Sequence, residues 1–283
     1  MLKIQMKRRM NMKITMLGTG NALVSEVYNT CYVLTDEEKQ GTEKYFMVDA
    51  GGGGQIVHQL KYAGFNWMDM REIFLTHKHI DHFTGMIWMV RLITQNMKSG
   101  KYEGEANIYG HKEVIELLDD ISRKLLQPGQ VKFIGDRLHL IPVEDGETRV
   151  INGHKVTFFD IGSTKAKQFG YLYEMSDGRK ICCCGDEPYN AEFEEKYAKG
   201  ADWLLHEAFC LYEERDSFHP YEKHHSTVKD AAELAESLQV PNLLLYHTED
   251  KNIARRKELY TAEAQASYTG HVVVPEDLET IEL

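Results

Sequence analysis

Thr76-His77-Lys78-His79-Ile80-Asp81-His82 puts three imidazoles and a carboxylate within six consecutive positions, from His77 to His82. Nitrogen and oxygen donors of this kind suit zinc, with manganese or iron as alternatives. Upstream, Arg71-Glu72-Ile73-Phe74-Leu75 reads as a short buried strand. Downstream, Phe83 to Gln95 reads as a helix with Met86, Ile87, Met89, Val90 and Ile93 to bury. The cluster therefore lies on the turn from a strand end to a helix start. There the backbone can aim neighbouring side chains inward together, which a regular helix or strand does not do for His77, His79, Asp81 and His82 at once. With 13 histidines among 283 residues, two could fall together by chance, but not four donors in this order. The chain is read as metal-binding.

Composition allows one large domain or two small ones. The 283 residues provide ample interior, and 42% hydrophobic with 27% charged residues is ordinary for a globular protein. A net charge of −11 tilts against long polyanionic partners, which are gripped by Lys and Arg. Cys31, Cys182, Cys183, Cys184 and Cys210 form neither an even disulfide framework nor a Cys-x-x-Cys metal site. They read as small buried hydrophobes in a reducing cytoplasm, with Cys182 to Cys184 alternating between two faces of a strand. The basic start of the chain lacks a signal peptide's apolar run, and no stretch approaches the roughly 18 apolar residues of a membrane span. Residues 1–11 read as a leader, disordered or preceding a later start codon, and residues 12–283 as one domain.

Further strands read along Lys13–Leu17, Thr30–Leu34 and Lys44–Val48, the last running into Asp49-Ala50-Gly51-Gly52-Gly53-Gly54. Helices are expected over Gln55–Ala63 and Lys112–Leu126, and strands at Asn107–Tyr109, Val131–Ile134 and Leu138–Val143. The second half begins again with strands at Lys155–Ile161, Tyr171–Tyr173, Lys180–Cys184, Trp203–Leu205 and Leu243–Tyr246. Between the last two, Ser226 or Thr227 offers an N-cap to a helix whose apolar face is Ala231, Leu234, Ala235 and Leu238. Strands dominate each half, so an α/β (α+β) domain of two sheets with helices outside is expected.

Asp186, His206 and His247 each directly follow an apolar strand, and sheets gather functional groups where their strands end. With His77–His82 in need of partners, Asp186 and His247 become candidate metal ligands. His224 or His225, just before the capped helix, is a candidate proton donor. Asp49 is better placed to hydrogen-bond a ligating loop than to bind an ion itself. His58, His111, His139, His154, His219 and His271 read as surface or packing residues.

These residues resemble those of the metallo-β-lactamase-fold hydrolases, and within them the ribonuclease Z-like phosphodiesterases. The resemblance runs from Met12 to His247 through Leu17-Gly18-Thr19-Gly20-Asn21-Ala22, Val48-Asp49-Ala50-Gly51, Thr76–His82, Gly185-Asp186, His206-Glu207-Ala208-Phe209, His225-Ser226-Thr227 and Tyr246-His247. It implies a four-layer αββα sandwich with one or two ions, zinc first among them. His77 and His79 would hold the first ion, Asp81, His82 and His247 the second, and Asp186 would bridge. It also implies hydrolysis by a metal-bound hydroxide, with Asp81 and His225 as catalytic groups, His225 protonating the leaving oxygen, and His206-Glu207 supporting the site.

Two departures stand out. The family places another histidine shortly before a Gly-Tyr pair, yet Phe159 to Tyr171 contains none. Gly162 is the position expected to have lost it, unless His154 reaches in. And few residues separate Tyr171 from the strand leading to Asp186, which leaves no room for the arm that grips transfer RNA. The substrate expected is a small or flexible phosphodiester, such as a cyclic nucleotide or short oligonucleotide, and not transfer RNA or a membrane component. Another ester or a lactone is the alternative reaction, and an impaired metal-binding or sensing protein the alternative role. A homodimer is compatible with the sequence.

Overall fold

A computed structural model describes residues 11–37 and 43–283. The expectation of a leader over residues 1–11 falls, up to residue 10, outside the described residues. Asn11 already belongs to the first strand.

Among the described residues, two seven-stranded sheets face each other. In chain order the first contains β1 (Asn11–Gly18), β2 (Cys31–Glu37), β3 (Glu43–Val48), β4 (Glu72–Phe74), β5 (Ala106–His111) and β6 (Leu138–Val143). The second contains β7 (Thr148–Ile151), β8 (His154–Asp160), β9 (Phe169–Glu174), β10 (Lys180–Cys183), β11 (Trp203–Glu207), β12 (Asn242–Tyr246) and β13 (His271–Val273). The chain closes with β14 (Thr280–Glu282), which returns to pair antiparallel with β1 at the edge of the first sheet.

Among the described residues, eight α-helices accompany the sheets: α1 (Ile56–Tyr62), α2 (Ile80–Lys98), α3 (Lys112–Leu125), α4 (Pro128–Val131), α5 (Ala191–Ala198), α6 (Arg215–Phe218), α7 (Val228–Ser237) and α8 (Arg256–Gln265).

Alternation along the strands builds the layers. In β3, Phe46 and Val48 point between the sheets, where they meet Phe74, Phe158, Tyr171, Cys183 and Leu205, while Met47 faces α1 and α2. In β10, Ile181 and Cys183 face that central layer, and Cys182 packs with Cys184 against the outer helices. The cysteines alternate between faces as expected, and all five are buried free thiols. This is the αββα sandwich.

Two details differ from the sequence reading. Val131–Ile134 is not a strand: Val131 ends the short helix α4, which Pro128 opens with Gln127 and Gln130 in a capping box. Helix α2 begins at Ile80, so Asp81 and His82 occupy its first turn and do not precede it. Of the two readings left open for His154, surface or packing, it is the buried one: its Nε2 lies 2.8 Å from Asp36 Oδ2, tying β8 to β2 across the sandwich. No helix among the described residues is long and apolar enough to cross a membrane.

Strand direction decides where the chemistry gathers. β3–β4–β5–β6 run parallel in the first sheet and β10–β11–β12–β13 in the second. Asp49 follows β3, His77 lies just beyond β4, Asp186 beyond β10, and His247 follows β12. The carboxyl ends of parallel strands are where open α/β sheets collect ligands. Here the two sheets bring theirs to one end of the sandwich. Gly85 allows α2 to join them: a Cβ there would fall 1.8 Å from the carbonyl oxygen of Ala50, whereas Gly85 N donates to Gly51 O at 2.8 Å.

Candidate metal centre

Asp49 organises one wall of the centre. It sits at φ +56°, a left-handed conformation that Asp tolerates better than most residues. Its Oδ1 accepts the Thr76 backbone N–H at 2.9 Å. Its Oδ2 accepts the Thr76 hydroxyl at 2.8 Å and His82 Nδ1 at 2.7 Å. Because the Thr76 proton goes to Asp49, the Thr76 oxygen is the acceptor for His77 Nδ1–H, 2.9 Å away. His247 is treated in the same way: Thr30 Oγ1 donates to Gly20 O at 3.0 Å and is left to accept from His247 Nδ1 at 3.1 Å. In all three rings Nδ1 is the anchored nitrogen and Nε2 faces inward. That is the arrangement in which histidines ligate metals, with the outer nitrogen fixing the tautomer.

The inward atoms converge on one oxygen. Asp186 Oδ2 lies 3.6 Å from His77 Nε2, 3.3 Å from His82 Nε2 and 3.6 Å from His247 Nε2, and Asp81 Oδ2 lies 3.3 Å from His82 Nε2. Ligands about 2.1 Å from a tetrahedral ion stand roughly 3.4 Å from one another. The donors fall into two overlapping sets, Asp81–His82–Asp186–His247 and His77–His79–Asp186, within each of which the ligand atoms are no more than 4.8 Å apart. His77 Nε2 and His82 Nε2 are buried without a hydrogen-bond partner. Such groups are costly to bury unless something else uses them. The residues present fit one or two metal ions. The structure thus brings together all six expected ligands, His77, His79, Asp81, His82, Asp186 and His247.

Electrostatics agree. Burial pushes His77 well below the ordinary imidazole range and His247 down to about 4, so both rings are neutral donors. Burial also opposes charge on His82, but Asp81 and Asp49 outweigh it and hold that ring well above its usual value. For Asp186, burial favours the neutral acid, and the surrounding imidazoles of His77, His82 and His247 reverse this and keep the carboxyl ionised.

Across the cluster stands His225. Its ring stacks on Phe209 with centroids 4.9 Å apart and an interplanar angle of 12°, and lies 5.2 Å from the ring of His247. Glu207 Oε2 is 3.6 Å from His225 Nδ1, while Glu207 Oε1 accepts the Ser226 backbone N–H. Burial disfavours charge on His225, but Glu207 more than compensates and raises the ring above its ordinary value. The loop carrying it is fixed by Thr227, which caps α7 in a reciprocal box with Asp230. A cleft of about 500 Å³ opens over the cluster between Ala22, Lys78, Ile80, Lys165 and His225. A second space of about 420 Å³, with Phe209, Phe218 and Lys223 in its wall, shares Ala22, Lys165 and His225 with it.

Gly162 does not fill the role expected of it. At φ +73°, a Cβ there would point at the Phe193 ring, 2.6 Å away, and at the Asn190 amide, 3.0 Å away. Both belong to the start of α5 and not to the cluster. The side chain between Phe159 and Tyr171 that does touch it is Gln168, whose Nε2 donates to Asp186 Oδ1. His154 is held by Asp36 and does not reach in. His206 directs Nδ1 to the Glu207 carbonyl at 2.8 Å and is not among the converging donors. His111, read as ordinary, is buried against Phe169, and burial pushes it down to about 4. Thr30 and Gln168 carried no sequence signal; Thr76 lay inside the decisive run but reads there as filler.

Comparison with known proteins places this architecture. The chain is 29% identical to the ribonuclease Z of Shouchella clausii, with 96% of this chain and 97% of that protein covered. Among solved structures it is similar to the metallo-β-lactamase-fold protein YhfI of Bacillus subtilis, at a TM-score of 0.76 with 18% identity, covering 96% of this chain and 99% of the other. It is also similar to zinc-bound PqqB of Methylobacterium extorquens, at a TM-score of 0.69 with 13% identity, covering 96% and 100%. The resemblance read from the sequence, a ribonuclease Z-like chain of the metallo-β-lactamase fold, is borne out, and with it a metal-dependent hydrolase. The family model described as Anti-Pycsar protein Apyc1 matches residues 12–266, and the chain belongs to that family.

Proposed function

We propose that this protein hydrolyses a small or flexible phosphodiester, such as a cyclic nucleotide or short oligonucleotide, with His77, His79, Asp81, His82, Asp186 and His247 holding one or two ions, zinc first among the candidates. The observation that carries the reading is His225 facing the donor cluster with its Nδ1 3.6 Å from Glu207 Oε2. Phosphodiester cleavage needs a proton delivered to the departing oxygen, and a raised imidazole can deliver it at neutral pH. Bound ions would activate a water and offset charge on the phosphoryl oxygens.

The chain's own groups supply the rest. Asp49 and Thr30 keep the Nε2 atoms of His77, His82 and His247 directed inward, so no reorganisation is needed when substrate arrives. Lys78 and Lys165 line the cleft and suit a phosphate, and the Phe209–Phe218 wall beside it suits a flat apolar group such as a base. The ribonuclease Z name of the curated relative fits phosphodiester chemistry. Only residues 175–179 separate β9 from β10, which supports a small substrate over transfer RNA.

The test is a panel of cyclic nucleotides, short oligonucleotides and nitrophenyl phosphodiesters against lactones and β-lactams, with zinc or manganese supplied. Phosphodiesters should be preferred, and faster turnover of a lactone than of any phosphodiester overturns the reading. His225→Ala should lose roughly 10²–10⁴-fold on alkoxide leaving groups and much less on nitrophenolate, at constant metal content.

A further inference from the structure

Phe159 to Tyr171 forms the end of β8, a hairpin loop and the start of β9, and the two ends of that loop face opposite ways. Ile161 N donates to Gln168 O at 3.2 Å, closing the loop. On the outgoing side, the position of Gly162 faces Phe193 and Asn190. On the returning side, Gln168 is 1% exposed and its Nε2 donates to Asp186 Oδ1. The other half of that amide, Oε1, is buried without a hydrogen-bond partner.

We propose that Gln168 is a positioning residue for the shared carboxylate, standing where the loop offers no histidine. A carboxylate has two oxygens that can face the centre. Gln168 engages Oδ1 and leaves Oδ2 alone against the three imidazole Nε2 atoms. Gly185 makes room for this: a Cβ there would fall 2.8 Å from Gln168 Nε2. The amide is not itself among the donors that converge, so it acts through Asp186 and does not replace the lost ligand.

The two donor sets depend on it unequally. Freed of Gln168, Asp186 could turn away from either. One set would still have Asp81, His82 and His247; the other would have only His77 and His79. The three-donor position therefore relies more heavily on the Gln168 clamp.

Gln168→Met tests this. Methionine has similar length and volume but no donor, and since Oε1 has no partner the change removes only the contact with Asp186. Calorimetric zinc titration of chelator-stripped protein should show two classes of site in the parent. In the variant the weaker class should loosen roughly 10- to 100-fold, the usual cost of losing an outer partner of a ligand, and the tighter class should change less. Gln168→His, which restores a ring N–H donor, should recover the affinity, a rescue that general damage to the fold would not give.

The inference rests on the metal-centre reading, and the two fail differently. If the parent binds no zinc, the metal-centre reading falls. If the parent binds zinc and Gln168→Met binds it identically, or loosens both classes equally, the role of Gln168 falls. Melting of the metal-free variants checks folding. Should Gln168→Met fail to fold, Gln168→Leu, which also lacks the donor and adds no metal ligand, carries the same expectation and the same refutation.

Discussion

On one side of Asp186 stand Asp81, His82 and His247, all buried, with both rings anchored through Nδ1 by Asp49 or Thr30. On the other side stand His77, anchored through Thr76, and His79, half-exposed and meeting His77 edge to face at 4.5 Å. The sides share a carboxylate and differ in number of donors and in how firmly each is aimed. Pre-aimed ligands lose less freedom on binding, so the difference teaches that a pair of ions here should be held unequally.

Removing one ring from each side is the strongest way to break that comparison. His247→Ala should strip the tight position to three donors and cut phosphodiesterase turnover by roughly 10³-fold or more, given that ion charge supplies several kcal/mol of transition-state stabilisation. His79→Ala should empty only the weak position, and added zinc should not restore it. Metal content by mass spectrometry reads both. Equal losses from the two variants would erase the asymmetry.

Proton release offers a gentler probe. Burial opposes charge on His82, but Asp81 and Asp49 raise it above its ordinary value, so an ion there competes with a proton for Nε2. His77 has already been made neutral by burial. The four-donor position should therefore release more protons per ion than the three-donor position. Affinity at the former should therefore weaken as pH falls. In the metal-free protein the sign is opposite. The His82 contribution to stability is complete below the ordinary imidazole value and fades as pH rises through the raised one. Calorimetry in buffers of different ionisation enthalpy measures the release, and equal values for both positions would contradict it.

The smallest effect concerns Gly162. Gly162→His should not tighten either position, because its side chain would be driven into Phe193 from a left-handed backbone. A loss of about 1–3 kcal/mol in stability is expected from crowding and strain. Thermal melting with and without zinc measures it; a gain in metal affinity would show that the loop re-forms around the new ring.

How the sequence conveyed all this varied from place to place. The run from Thr76 to His82 and the polar residues after apolar strands were legible because alternation and strand ends leave a direct pattern. Asp81 and His82 were assigned to the turn and not to the helix, since nothing local distinguishes a helix's first turn from the bend before it. Gly162 was misread for a different reason. Which end of a hairpin loop faces a site is fixed by the pairing of Asp160 with Phe169 and by Asn190 and Phe193 of a distant element, none of which shows as periodicity. For His154 the sequence leaves surface and packing open, because its partner, Asp36, lies 118 residues away. Short strands such as β13 and β14, three residues each, offered too few positions for a period to appear.

Asp49 has one more consequence. Through a single oxygen it receives both the Thr76 hydroxyl, and so orients His77, and the ring of His82. One ligand of each position thus answers to the same atom. An ion drawing electron density from His82 would strengthen the Nδ1–H bond to Asp49 and change what that oxygen offers Thr76. Binding of two ions would then be thermodynamically linked through a residue in neither donor set. Linkage of this kind is reciprocal: whatever the first ion does to the affinity of the second, the second does to the first in equal measure.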